Sequence, residues 1–178
     1  MQTNKNNFKV NGELFLTKID EVISNISCQT EILQKIMDIT IEAFNCDRAY
    51  ILYPCDPNAD SWSAIERSKD EYPGVCNIGQ HLLMDESIIT ICNILLKHDG
   101  VIAFGPNTEF SIPETLQSTF DIQSQLSMLI TSKNDSPRNF GIHQCSYPRV
   151  WKDEEKKLYV IHLGKIISSK NTEILNKF

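Results

Sequence analysis

The 178-residue chain lacks the features that mark several common function classes. No apolar run approaches the roughly 18 residues that a bilayer crossing requires, and the opening MQTNKNNFKVNGE has no apolar core of the secretory-signal type. A soluble, cytoplasmic protein without a membrane span is the expectation. Basic charge is also scarce. Seventeen Lys+Arg stand against 23 Asp+Glu, a net charge of −6, which leaves no basic face to release counterions from a phosphate backbone, so nucleic acid is not an expected partner. The cysteines Cys28, Cys46, Cys55, Cys76, Cys92 and Cys145 are scattered singly. Without C-x-x-C or H-x-x-C spacing they argue against zinc or thioredoxin-like chemistry and for reduced, mostly buried thiols. There is no P-loop, nucleophile elbow, metal-spaced His/Glu pair or set of paired carboxylates. No catalytic residue and no metal site is assigned, and the chain is read as a non-enzyme.

What is present is one domain's worth of alternating patterns. Hydrophobic content of 41% with 22% charged residues is ordinary for a globular chain of this length. Residues 1–13 read as a flexible leader and 14–178 as a single domain. Leu16, Ile19, Val22, Ile23 and Ile26 recur at helical spacing, and a second helix follows with Thr30 as its N-cap. The period then shortens. DRAYILYPCDP and SWSAIERSK read as a β-hairpin and DEYPGVCNIGQ as loop. DESIITICNILLKHDG reads as a helix with an acidic start and a Gly stop, and VIAFG as a short strand. PNTEFSIPETLQSTF is loop with a helical turn or two. IQSQLSMLITSK and RNFGIHQCS form a second hairpin around NDSP, and a long last helix begins near Lys152. Hairpins flanking a crossover imply an α+β fold with one central antiparallel sheet, the N- and C-terminal helices on one face and a pocket on the other.

This order of elements resembles that of GAF domains, which are PAS-related, and two blocks sharpen the likeness. FNCDRAYILYPCDPNADSWSAIERS is similar to the opening hairpin of GAF domains in sensor histidine kinases and phytochrome-like photoreceptors, with Asp47-Arg48 at the strand start and Glu66 in the return strand. GIHQCSYPRVWKDEEKKL looks like the last strand and final helix start of the same group. The resemblance covers about Thr30 to Ser169. It implies a sensory domain for signal transduction that binds a small-molecule ligand and passes a conformational change through its terminal helices to a homodimer partner, a kinase or another output domain. Apolar Leu158, Ile161, Leu163, Ile166, Ile167, Ile174 and Leu175 on the last helix would carry that contact, although packing on the sheet explains much of the same pattern.

Strand alternation sets Gly141, His143 and Cys145 on one face and Phe140, Ile142 and Gln144 on the other. In bilin-binding relatives the matching histidine sits in the chromophore pocket, which implies that His143 and Cys145 face the ligand. Tyr53 and Cys55, on one face of the first strand, are weaker pocket candidates. A buried histidine bonded to a backbone carbonyl explains His143 equally well. Arg149 reads as a clamp onto Asp153 or Glu154, with Trp151 packed as a lid on the helix. Photoreceptor relatives attach bilin through a Cys-His pair; Ile112 and Pro113 stand there in this chain, so a covalent bilin is disfavoured. Cys76 or Cys92 would have to serve from another direction, with no histidine beside either. A haem-binding redox or gas sensor is the alternative reading, with His143 the best axial ligand among His143, His81, His98 and Cys145. The Cys-rich loop of the GAF-type methionine sulfoxide reductase and the Asn-Lys-x-Phe-Asp signature of cyclic-nucleotide-binding GAF domains are both missing.

Overall fold

The computed structural model describes residues 12–74, 80–132 and 135–168. Among these, two helices, α1 (Gly12–Asn25) and α2 (Gln29–Phe44), lead into strands β1 (Arg48–Tyr53), β2 (Ser61–Ser68) and β3 (Leu82–Leu83). Helix α3 (Glu86–Lys97), strand β4 (Val101–Phe104) and helix α4 (Glu114–Phe120) follow, then β5 (Ser124–Ser132), β6 (Asp135–Gln144) and α5 (Asp153–Ser168). The strands form one antiparallel sheet in the order β3-β2-β1-β6-β5-β4, so the first and last long strands are central neighbours. This is the expected α+β architecture.

Side-chain alternation divides the core in two. Ala49, Ile51, Phe140, Ile142, Leu126 and Ile130 face α1, α2 and α5, where they meet Phe15, Ile19, Ile36, Phe44, Tyr159 and Leu163. The Tyr159 hydroxyl donates to the Phe140 carbonyl at 2.9 Å, tying α5 to the central strand. Tyr50, Leu52, Trp62 and Ala64 point the other way, toward Ile88, Ile91 and Leu95 of α3 and Leu116 of α4. Asp85 caps α3 as the acidic start of that helix suggests, accepting from the Ser87 and Ile88 amides at 2.8 and 3.0 Å.

Several local expectations need correction. Cys28, not Thr30, occupies the N-cap of α2 and gives no side-chain bond. Between the segment read as loop (70–80) and the helix read from Asp85, the unassigned residues 81–84 hold the two-residue strand β3, which bonds to β2 at Ser61 and Trp62; so short a strand has no period to detect. The helical turn or two expected in the loop before β5 is the seven-residue α4. Strand β6 begins at Asp135, three residues before the segment read as strand, and carries Pro137 within it. The Pro137 carbonyl is taken up outside the ladder, by the Cys55 amide at 2.7 Å. Of the expected leader 1–13, residues 1–11 lie outside the described residues, and α1 already begins at Gly12. The apolar positions Ile174 and Leu175 also lie outside them.

Candidate functional site

Between the sheet and helices α3 and α4 lies a cavity of about 60 Å³. Alternate residues of β1 (Arg48, Tyr50, Leu52) and of β2 (Trp62, Ala64, Glu66) form its floor together with Asn139 and His143 of β6 and Gln125 of β5. Ile88 and Ile91 of α3, with Leu116, Phe120 and Ile122, form the opposite wall. The register brings these strands' polar groups together: Arg48 sits opposite His143, Leu52 opposite Asn139, and Gln125 opposite His143 on its other side. A Cβ on Gly141, opposite Tyr50, would collide with the Tyr50 ring, so glycine lets that ring lie flat across β6.

The polar residues form a partly completed network. Asn139 Nδ2 donates to the Tyr50 hydroxyl at 3.1 Å, that hydroxyl lies 3.3 Å from Ser127 Oγ, and Gln125 Nε2 donates to the same Ser127 oxygen at 2.8 Å. Arg48 is held by the carbonyls of Tyr72 and Phe120, at 2.8 and 2.6 Å, with Glu66 at 3.9 Å. Its charge is therefore neutralised within the wall. The His143 ring stacks on Tyr50 with centroids 4.6 Å apart, and burial, reinforced by the Arg48 charge, lowers the imidazole to about 3. It is neutral at physiological pH. Three buried atoms of this wall have no hydrogen-bond partner: Trp62 Nε1, Asn139 Oδ1 and His143 Nδ1. Native interiors rarely tolerate such orphans, and here all three belong to residues that line the same cavity.

Asp47 anchors the strand that carries His143. Its carboxylate accepts from the amides of Cys145 and Ser146 at 2.8 and 2.9 Å, from the Ser146 hydroxyl at 2.8 Å, from Gln144 at 2.7 Å and from Lys69 at 3.1 Å. Burial raises the Asp47 carboxyl, but the Ser146 and Cys145 amides outweigh it and hold the group below its ordinary value. Its own amide donates to the His143 carbonyl at 2.9 Å. Arg149 pairs with Glu155 at 2.5 Å, one residue beyond the expected Asp153 or Glu154, because Glu155 turns inward to receive it. It also donates to Phe44 O and Gln144 Oε1 and stacks on Trp151, which is buried among the α1/α2/α5 core residues.

Of the four residues singled out from sequence, His143 lines the cavity. Cys145 lies just past the end of β6, buried beside Asp47 and outside the lining, with its thiol pushed up to about 11 chiefly by burial. Tyr53 is on the opposite face of β1 from Tyr50, with the Arg138 guanidinium over its ring at 4.4 Å. Cys55 follows a cis Tyr53-Pro54 bond and packs against Cys92 rather than the cavity. Sequence reasoning passed over Tyr50, Trp62, Gln125 and Asn139, and named Arg48 and Glu66 only as marks of the resemblance, not as cavity residues. The signal that could have found them is that β1 alternates Arg, Tyr and Leu against Ala and Ile. The apolar set belongs under the helices, which leaves the polar set for the other face. His81 and His98 are exposed and away from the cavity. Among the described residues, no group of three or more His, Cys, Asp or Glu could hold a metal ion; no helix there is long and apolar enough to cross a membrane.

No family model and no curated protein sequence matches the chain. Solved structures do. The phycocyanobilin-bound GAF domain from a cyanobacterial phytochrome aligns at 15% identity and TM-score 0.68, covering 93% of this chain and 98% of that one. The GAF domain from a phosphoenolpyruvate-protein phosphotransferase of Coxiella burnetii aligns at 13% identity and TM-score 0.64, covering 94% and 98%. The chromophore-binding domain of a Stigmatella aurantiaca phytochrome aligns at 12% identity and TM-score 0.68, covering 97% of this chain and 63% of that one.

Proposed function

We propose that this chain, whose fold is that of GAF domains, works over residues 14–178 as a non-catalytic sensory domain that binds a small neutral molecule between the sheet and α3/α4. The observation that carries this reading is that Trp62, Asn139 and His143 line one cavity and each has a buried polar atom without a partner, Nε1, Oδ1 and Nδ1, a donor and an acceptor among them. A guest with a complementary acceptor and donor satisfies all three. Each buried orphan otherwise costs about 1–3 kcal/mol. The guest is neutral, because His143 is neutral and Arg48 is already balanced by Glu66 and two carbonyls.

Similar structures hold bilins, but the residues here do not fit one. A space of about 60 Å³ is far below the ~300–1,000 Å³ of pockets that enclose drug-sized ligands, and no described cysteine lines it. The same volume argues against haem, even though His143 offers an imidazole. Signal output fits the terminal helices. Strand β6 carries His143 on the cavity side and hands its Phe140 carbonyl to α5 through Tyr159. Leu14 on α1 and Val160 and Ile161 on α5 are exposed where a homodimer partner or a kinase helix would pack.

The test is a binding screen read by thermal shift and by Trp62 fluorescence, using small neutral amides and heteroaromatics, with haem and biliverdin as large comparison compounds. Stabilisation of the wild type by a small compound, lost in His143→Leu and Asn139→Leu, is expected. A Soret band that disappears in His143→Ala would replace this reading with a haem sensor, and a silent screen across all compounds would sink both.

A further inference from the structure

Outside the cavity the molecule holds a second arrangement that the ligand-binding reading does not use. Cys55, in the connection between β1 and β2, and Cys92, in the middle of α3, are both nearly fully buried, and their sulfur atoms lie 3.3 Å apart. They are 37 residues apart in sequence, so local geometry does not explain the approach. Cys46, by contrast, is buried with its thiol directed to the Arg48 carbonyl, and Cys28 is exposed on its own.

We propose that Cys55 and Cys92 are a redox-reactive dithiol that a small hydroperoxide converts to a disulfide joining the β1–β2 connection to α3. A disulfide needs its sulfurs at about 2.05 Å, so the existing contact closes by little more than an ångström. Polarity within the pair favours Cys92 as the attacking sulfur. The hydrogen bond from the Cys55 thiol lowers Cys92 below its ordinary value, whereas Cys55, as donor and under burial, is raised. The Cys92 thiolate attacks the peroxide O–O bond, giving a sulfenic acid and, for hydrogen peroxide, hydroxide, which takes up the proton that Cys92 released. Cys55 then attacks that sulfur, its proton leaves with the hydroxyl as a second water, and the S–S bond forms. Two thiols are oxidised by two electrons and one peroxide is reduced to two waters. Because α3 also supplies Ile88 and Ile91 to the cavity wall, the new bond would fix one side of the cavity.

The test treats the unmutated native chain with hydrogen peroxide, blocks remaining thiols and maps peptides by mass. Expected are a loss of two hydrogens, a linked peptide pair carrying Cys55 and Cys92, reversal by dithiothreitol and a higher Tm in the oxidised form. A Cys28→Ser, Cys145→Ser background should give the same link, and Cys92→Ser should abolish it. The proposal fails if the link forms only in denatured protein, if cross-links spread over several cysteine pairs, or if peroxide modifies the exposed Cys28 and leaves Cys55 and Cys92 as free thiols. The mapping on the unmutated chain decides the matter even if a variant does not fold.

Discussion

On the α1/α2/α5 side of the sheet, Ala49, Ile51, Phe140 and Ile142 meet Phe15, Phe44 and Tyr159 in close apolar contact. On the α3/α4 side, the alternate residues of the same strands, Arg48, Tyr50, Asn139 and His143, look onto a cavity. Both sides are buried. The first side also contains unpartnered atoms, Trp151 Nε1 and His162 Nδ1; Trp151 borders a different pocket with Val101, Ala103 and Lys156, and the His162 ring packs against Phe15 and Phe140. The second gathers three of them around an opening. One side is closed by apolar packing, and the other leaves a cavity lined in part by polar side chains.

That contrast can be broken most sharply at Phe140. Phe140→Ala should cost about 3–5 kcal/mol in a urea melt, as for a large aromatic removed from a close-packed core. A loss under about 1 kcal/mol would mean that the helix-covered side is not the load-carrying core. Next comes the anchor below the cavity: Asp47→Asn keeps the shape but removes the charge that Ser146, Cys145, Gln144 and Lys69 share. It should lose about 2–3 kcal/mol, the scale of hydrogen bonds to a charged acceptor. Because the folded carboxyl lies below its ordinary value, that contribution is present above the unfolded value and lost as pH falls through the folded one.

The two buried histidines compare the sides directly. His143 beside the cavity and His162 in the helix-covered core are each lowered from 6.5 to about 3, mainly by burial. Between those limits the unfolded chain binds the proton first, so stability is full above pH 6.5 and falls with acidification toward pH 3. Each histidine should contribute a slope of roughly 1.4 kcal/mol per pH unit in that window. His162→Gln and His143→Gln should each remove one share, and equal slopes in both variants and the wild type would show that neither is buried neutral. The smallest effect is expected for His143→Leu at neutral pH. Removing an orphaned polar atom should leave the unfolding free energy within about 0.5 kcal/mol of wild type or raise it, while eliminating small-ligand binding. A large destabilisation there would assign His143 to the structural core.

The sheet, its hairpins and the long helices were legible because their periods are written locally: 3.6 residues in α1 and α3, two in β1 and β6. The GAF likeness read from two blocks agrees with the fold of the similar solved structures. Helix α4 was legible only as a helical turn or two within a loop, and strand β3, two residues long, was not legible at all. His143 was legible as a cavity-lining residue because alternation split β6 into two faces and the GAF resemblance chose between them. Choosing between the odd and even residues of β1 required knowing that β6 is its neighbour and that Arg48 stands opposite His143. Tyr53 belongs to the face of β1 that turns away from the cavity, and Cys55 could not be followed by counting twos, because the strand ends at Tyr53.

By itself the sequence determined the kinds of element, most of their order and the acidic character of the molecule, because hydrophobic period, capping residues and charge act over a few neighbours. Tertiary structure alone decided which faces meet. It set the register that gathers polar groups from β1, β2, β5 and β6 around one cavity, and it brought Cys55 and Cys92 together from positions 37 residues apart. Those choices depend on burying both sides of one sheet at once, a condition that no local stretch of chain carries.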